Sequence, residues 1–365
     1  MSKKIVHITT VHRMRDTRIF YRYCKSLSDE GYSVNLICPS DDPSFAPGSS
    51  HVVDEINVNF LRARSDKYSR IVLNIPLIIK KLSETKPDVI HFHDPELLLL
   101  IPIFLIFTRK LVYDVHEDNF ENILQKKSIP LVLRIILSRL IRTLELFSSK
   151  FSSQVIAERY YHDFLPSSIE ALNYPSAYQS CIGGQCHYDL SMLNSTYNWF
   201  LYTGNVSIER GALLQLEVLL DNSKNAIFYA GYCQSSVYSA IEDWLERHKI
   251  SKDRFVLEGY EKFVDQKCIN YIQKGYPWVA GIAIFPYSDF YNKKELTKFF
   301  EYYNACLPIL CADFVEWKKF VNKYECGAVY ESGYMQRLKN KKFNFTCNRF
   351  NWSDELKKVI TIYEL

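Results

Sequence analysis

The sequence predicts an α/β protein built as two open domains, each a parallel sheet with helices on both faces. Short apolar runs alternate with helical patterns along most of the chain, and one polar, irregular stretch interrupts that alternation near the middle. At 365 residues the chain also exceeds what a single hydrophobic core normally supports. Its 47% hydrophobic and 24% charged residues are those of a folded protein, and a formal charge of +4 is too small to imply a nucleic acid partner.

Residues 4–9 form an apolar run, residues 18–27 follow with helical spacing, Gly31 stops the helix and residues 34–38 supply the next strand, so the chain opens on a βαβ unit. Further strands are predicted near Val58 and at 89–93, 111–115 and 154–157. Residues 97–107 are the most apolar stretch, but eleven residues interrupted by Pro102 fall short of the roughly 20 that span a bilayer, and a buried helix is predicted. The polar stretch 173–198, with Pro175, Gly183 and Gly184, marks a domain boundary. A second series of strands follows at 199–203, 226–230, 255–257, 282–285, 308–311 and 328–330, and residues 352–365 form an amphipathic helix. The domains are read as 1–172, 173–349 and a C-terminal helix over 350–365.

Ten cysteines form no CxxC pair, as the spacings Cys181 to Cys186 and Cys306 to Cys311 illustrate, and no export leader is expected before the first strand. Buried free thiols in the reducing cytoplasm are the expectation.

Open parallel sheets bind ligands at the carboxyl ends of their strands. After the first strand comes TTVHRMRDTRI, residues 9–19, in place of a glycine fingerprint, which argues against a dinucleotide oxidoreductase. In it Asp16 can cap the following helix and Arg18 reads as a solvated first-turn residue. HFHDPELL, residues 91–98, places His91, His93 and Asp94 at a strand end with both rings on one face. A metal site is an alternative there, although the further spacing of the common dinuclear hydrolases is missing. In YTGNVSIERG, residues 202–211, Gly204 permits close backbone approach, a helix start favours phosphate and Arg210 adds positive charge. In KFFEYYNACLPIL, residues 298–310, Lys298 and Glu301 lie one helical turn apart, so an ammonium and a carboxylate project together. That pair suits a phosphate and a ribose; the competing reading is a surface ion pair.

In order and in strand-end placement these segments, with YDVHEDN at 113–119 and NYP at 173–175, resemble the GT-B glycosyltransferases, especially the retaining enzymes of glycosyltransferase family 4 (group 1). The resemblance covers nearly the whole chain. It implies the GT-B fold: two Rossmann-like parallel-sheet domains facing a central cleft, with the C-terminal helix returning to the first. It further implies a hexosyltransferase that moves a sugar from a nucleotide-sugar, most commonly a UDP-sugar, to a glycan or lipid-linked glycan in bacterial capsule or O-antigen biosynthesis. By the same resemblance His116, Lys298 and Glu301 are catalytic. Lys298 then meets the diphosphate, Glu301 the ribose and His116 the donor sugar. Gly204, Asn205, Arg210 and Gly211 complete donor binding, while His12, Asp16, Asp94 and Glu117 lie on the acceptor side. The family usually has a basic residue where Asn205 stands and a hexose-binding glutamate where Lys293 stands. The sequence contains no Asp-x-Asp, so no metal or other cofactor is expected, with Arg210, Lys298 and helix dipoles serving the leaving diphosphate. A nucleotide-sugar epimerase of the same fold and a non-catalytic sugar-nucleotide-binding partner are the alternatives.

Residues 126–151 set Lys126, Lys127, Arg134, Arg139, Arg142 and Lys150 against the single acid Glu145, with leucines and isoleucines at helical spacing. Such a helix can lie on an anionic membrane, which predicts peripheral attachment to the inner face of the cytoplasmic membrane. An ordinary domain helix with its basic face in water is the alternative.

Overall fold

The structure is a computed structural model that describes residues 2–40, 44–63, 71–126, 128–176, 188–346 and 348–365. The expectations for Lys127, Cys181, Cys186, Gly183 and Gly184 lie outside the described residues. The chain divides into two compact units, Met1–Tyr178 with Trp352–Leu365, and Gln179–Asn351.

In the first unit eight strands, β1 (Lys4–Ile8), β2 (Ser33–Pro39), β3 (Ser50–Val53), β4 (Ile56–Leu61), β5 (Val89–Phe92), β6 (Leu111–Val115), β7 (Ser153–Ile156) and β8 (Ile169–Glu170), form one sheet. Their order is β3-β4-β2-β1-β5-β6-β7-β8, and only β3 against β4 is antiparallel. The inner strands are apolar runs without alternation because helices cover both faces. Register sets His7 of β1 beside His91 of β5. The segment after β1 winds first as a π-helix over Thr17–Lys25, capped by the Asp16 carboxylate, which accepts from the N–H groups of Arg18 and Ile19 at 2.8 and 2.9 Å. Contrary to expectation, residues 97–107 are not uniformly buried. They form a 3₁₀ turn over Pro95–Leu100 and a helix over Ile101–Phe107 that seats Leu97 and Phe104 in the core but leaves Leu99 and Ile106 62% and 78% exposed.

Helix α1 (Leu131–Ser148) reverses the usual amphipathic order. Ser138, Glu145 and Ser148 are its buried residues, whereas Leu131, Val132, Ile136, Leu140 and Phe147 are more than half exposed.

The second unit holds β9 (Asn198–Thr203), β10 (Asn225–Cys233), β11 (Phe255–Tyr260), β12 (Ala280–Ala283), β13 (Ile309–Cys311) and β14 (Gly327–Val329) in the order β11-β10-β9-β12-β13-β14, all parallel. Helix α2 (Thr297–Asn304) lies between β12 and β13 in sequence. Helix α3 (Trp352–Glu364) packs on the first unit: Trp352 Nε1 donates to the Arg22 carbonyl at 2.6 Å, and the Glu355 carboxylate accepts from the Leu172 N–H at 2.9 Å. The first unit runs past the expected limit at residue 172 because Asn173 and Tyr174 are fastened to it by Arg18 and Arg22.

Once the edge strands β3 and β8 are set aside, the two sheets have the same order. Strand succession reverses between β1 and β5 in one and between β9 and β12 in the other. The crevice outside such a reversal is where open sheets receive ligands. The expectation of uniformly buried free thiols fails at two positions. Cys306 is exposed and Cys268 is disulfide-bonded, while Cys24, Cys38, Cys233, Cys311 and Cys326 are buried thiols.

Candidate active site

The first unit gathers its polar residues at the carboxyl ends of β1, β5 and β6. Asp94 follows β5 and is buried, held by the hydroxyls of Thr9 and Thr10 at 3.0 and 3.1 Å. Burial raises its pKa. His12 bonds Asp16 through Nδ1 at 3.3 Å and meets His116 Nε2 through its own Nε2 at 2.9 Å. Burial works against a charge on His12, but the hydrogen bond to Asp16 and the charges of Asp94, Asp16 and Glu117 push its pKa up to about 9. His12, Asp94, His116 and Glu117 line one cavity of ≈ 400 Å³ together with Glu96 and Lys126. The expected acceptor-side residues and His116 are therefore assembled, and Asp16 both caps and pairs.

Beneath them lies Asp114, wholly buried in β6. Its carboxylate accepts from Arg18 Nε and Nη2 at 2.8 and 2.6 Å, from Tyr23 at 3.2 Å and from His93 Nδ1 at 3.1 Å, and lies 3.5 Å from His116 Nδ1. Burial alone would raise the carboxyl pKa, but the Arg18 guanidinium outweighs it and holds the group well below the ordinary range. Arg18 is thus not the solvated first-turn residue its position suggested. It is 6% exposed and also reaches the Ala171 carbonyl and Asn173. Asp114 escaped the sequence reading as a site residue. The signal was a carboxylate at an alternate position of the apolar run LVYDV, which a buried strand tolerates only with a cation beside it.

The histidine cluster also differs from the expected His91, His93 and Asp94. Asp94 belongs to the threonines, His91 Nδ1 lies 2.5 Å from the Tyr363 hydroxyl, and His7 takes the third place, its Nδ1 3.0 Å from His93 Nε2. Burial lowers the pKa of all three imidazoles, that of His93 to about 3. His7, His91 and His93 could approach one ion, as could His93, Asp114 and His116. In the second group Arg18 already occupies both Asp114 oxygens.

In the second unit the turn after β9 needs glycine twice. Gly204 has φ +105°, and Gly211 has φ +77° with a Cβ position 2.2 Å from the Ile284 carbonyl oxygen. Lys298, in the first turn of α2, is 9% exposed, which excludes the surface-pair reading. Its Nζ donates to the Thr203 carbonyl at 3.0 Å and lies 3.6 Å from the Tyr202 ring centroid. A Cβ on Gly204 would stand 4.0 Å from both Lys298 Nζ and Arg210 Nη1, so two cations converge on this bare stretch of backbone. Burial, then the charge of Arg210, holds the Lys298 pKa well below the ordinary lysine value, and Glu301 partly opposes them. Glu301 is half-buried one turn along, and Asn205 is exposed, its carbonyl accepting from Tyr202 at 2.9 Å. Lys293 is exposed. The expected phosphate-binding helix start is absent at this turn. Gly211 separates a three-residue 3₁₀ turn, Ile208–Arg210, from a four-residue helix, Ala212–Gln215, too short for a useful dipole. The Tyr302 hydroxyl, which the sequence did not flag, accepts from the Thr203 N–H at 3.0 Å and ties α2 to β9.

Residues 17–158 match the family model described as Glycosyltransferase Family 4. Sucrose-phosphate synthase from Thermosynechococcus elongatus is similar in structure over 99% of this chain and 98% of its own, with a TM-score of 0.65 at 10% identity. The chain has the GT-B fold, and its residues 17–158 are similar to glycosyltransferases of family 4. HepE of Anabaena, solved with UDP-glucose, is similar over 99% of this chain and 100% of its own, with a TM-score of 0.63 at 12% identity. WaaG, described as a glycosyltransferase of lipopolysaccharide biosynthesis, covers 99% and 90%, with a TM-score of 0.58 at 11% identity. At these identities the likeness carries the fold alone. Among curated proteins no sequence matches.

Proposed function

We propose that this protein is a glycosyltransferase that moves a sugar from a UDP-sugar to a glycan or lipid-linked glycan acceptor in surface polysaccharide assembly, retaining anomeric configuration and using no metal. The observation that carries the reading is the convergence of Lys298 and Arg210 on Gly204 at the strand-order reversal of the second unit. An ammonium kept dry is strongly stabilised by an arriving diphosphate, so charge developing on the leaving group meets donors already in place. Glu301, one turn away, suits ribose hydroxyls. His116 and its neighbours in the first unit's cavity take the sugar and the acceptor. The UDP-glucose bound by HepE and the lipopolysaccharide role of WaaG agree with this donor and this setting.

The test is a thermal shift panel of UDP-, GDP- and ADP-sugars followed by product analysis with the preferred donor. Binding to the folded state alone raises Tm. A UDP-sugar is expected to give the largest shift and a product of the same anomeric configuration. An inverted product, or an epimerised sugar without transfer, overturns the reading.

A second proposal concerns α1. Its exposed apolar face, from Leu131 to Phe147, suits the boundary layer of a lipid bilayer. Of the basic residues, Arg142 is turned inward onto Asp118 at 2.8 Å and Arg134 onto the Leu124 carbonyl, while Lys126, Arg139 and Lys150 stay exposed. Apolar insertion then outweighs charge. Co-flotation with anionic liposomes is expected to persist at high salt and to vanish in Leu131→Glu/Ile136→Glu; no flotation at low salt overturns it. Among the described residues no helix is long and apolar enough to cross a membrane.

A further inference from the structure

His12 and His116 meet through their Nε2 atoms at 2.9 Å. That separation admits one hydrogen, because two lone pairs would repel and two N–H groups would collide. The outer nitrogen of each ring faces an acceptor: His12 Nδ1 lies 3.3 Å from Asp16, and His116 Nδ1 lies 3.5 Å from the Asp114 carboxylate and 3.3 Å from the Asp114 carbonyl. Each Nδ1 therefore carries a hydrogen. Three hydrogens on two imidazoles give the pair one positive charge, strung between two carboxylates.

The surroundings place that charge on His12. Asp16 from its own loop, Asp94 from the end of β5 and Glu117 from the end of β6 all face it. On the other side, Asp114 is already neutralised by Arg18. His116 is then neutral, with a lone pair on Nε2 that points at His12. His12 Nε2 is also 3.7 Å from Asp94 Oδ1, so a small rotation exchanges one partner for the other.

We infer that His12 is the positioning residue that fixes what His116 recognises: His116 Nε2 is kept as an acceptor, so the group that replaces His12 there must be a hydrogen-bond donor, a substrate hydroxyl, while His12 turns onto Asp94. Only the nature of the substrate rests on the function proposed above. The exchange costs little because His12 leaves one acceptor for a charged one and the incoming hydroxyl satisfies the lone pair left behind. A substrate offering only an acceptor at that position, such as a fluoro or methoxy group, meets a lone pair and is rejected.

The full chain labelled with ¹⁵N-histidine tests this without substrate, by long-range ¹H–¹⁵N correlation spectra between pH 6 and 10. At pH 7 His116 is expected as the Nδ1–H tautomer and His12 as an imidazolium that loses its proton near pH 9. Asp16→Asn should lower the His12 midpoint by about one pH unit or more. An Nε2–H tautomer at His116, or a neutral His12 at pH 7, overturns the inference whether or not sugar transfer is found. In kinetics, the wild-type kcat/KM is expected to fall above pH 9, and His12→Gln, folded as judged by circular dichroism though with a lower Tm, is expected to lose that limb. A His12→Gln profile that keeps it also overturns the inference. Conversely, inactivity toward every nucleotide-sugar overturns the function proposal and leaves the spectra standing.

Discussion

Both sheets reverse strand order at the same place and both set their candidate residues at that reversal, yet the two units manage charge in opposite ways. In the first, Arg18 lies on Asp114 and His12 on Asp16, and the cavity above them is lined by acids and bases in contact. In the second, the Lys298 ammonium rests on a carbonyl and an aromatic ring, with Arg210 pressing a further positive charge upon it. The first arrangement is preorganised and internally satisfied, suited to a neutral polyol that exchanges hydrogen bonds. The second is electrostatically incomplete, suited to an anion that completes it. One topology therefore carries two charge arrangements, and the side chains placed after the strands decide which.

The sharpest way to break this contrast is to remove one cation from each unit. Arg18→Met strands a buried carboxylate and is expected to cost roughly 3 to 5 kcal/mol of stability by chemical denaturation, with much of the loss recovered in Arg18→Met/Asp114→Leu. Lys298→Met should do the reverse, leaving stability equal or higher, since burying the ammonium is itself a cost. Transfer should nevertheless fall by one to three orders of magnitude, on the order of 2 to 4 kcal/mol of transition-state binding, and Glu301→Ala should fall within the same range. Equal destabilisation by Arg18→Met and Lys298→Met would erase the distinction.

Acid should act on the first unit through its buried histidines. His7, His91 and His93 have folded pKa values lowered by burial, whereas unfolded histidines titrate near 6.5. Below about 6.5 the unfolded chain binds protons that the folded chain refuses, so stability declines as pH falls toward the folded values. The slope is about 1.4 kcal/mol per pH unit for each histidine. His12 has the opposite sign. Its raised pKa stabilises fully below about 6.5, and that contribution is lost as pH rises through about 9. Urea denaturation between pH 4.5 and 7 should show the acid slope, and His91→Phe should flatten it. The smallest effect expected is none: EDTA in the assay should leave transfer unchanged, and a strict Mg²⁺ or Mn²⁺ requirement would mean that Lys298 and Arg210 do not serve the diphosphate.

The strands were legible because a parallel sheet buried on both faces writes continuous apolar runs, and each of the twelve runs read as strands overlaps a strand of the structure. The edges were not. Ser50–Val53 is largely exposed and Ile169–Glu170 is two residues long, so neither carries a burial signature. Strand-end motifs located His116, Lys298 and the glycine turn because their spacing is local. Arg18 and Asp114 were misread or missed because their pairing spans 96 residues and exists only once β6 lies near the helix after β1. The reversed face of α1 was hidden for a related reason: Glu145 faces inward because Tyr113 and Asn119 receive it, partners that helical periodicity does not show.

Helix α3 closes the first unit with residues synthesised after the whole of the second. His91 waits for the Tyr363 hydroxyl, the Leu172 amide for Glu355 and the Arg22 carbonyl for Trp352. At ribosomal rates of 5 to 20 residues per second, roughly ten to forty seconds separate emergence of the first unit's sheet from arrival of its final helix. During that interval the nascent second unit can fold to completion while the first stays open along the groove that α3 will fill. The order of birth and the order of completion are therefore inverted: the unit that is begun first is the last to be closed.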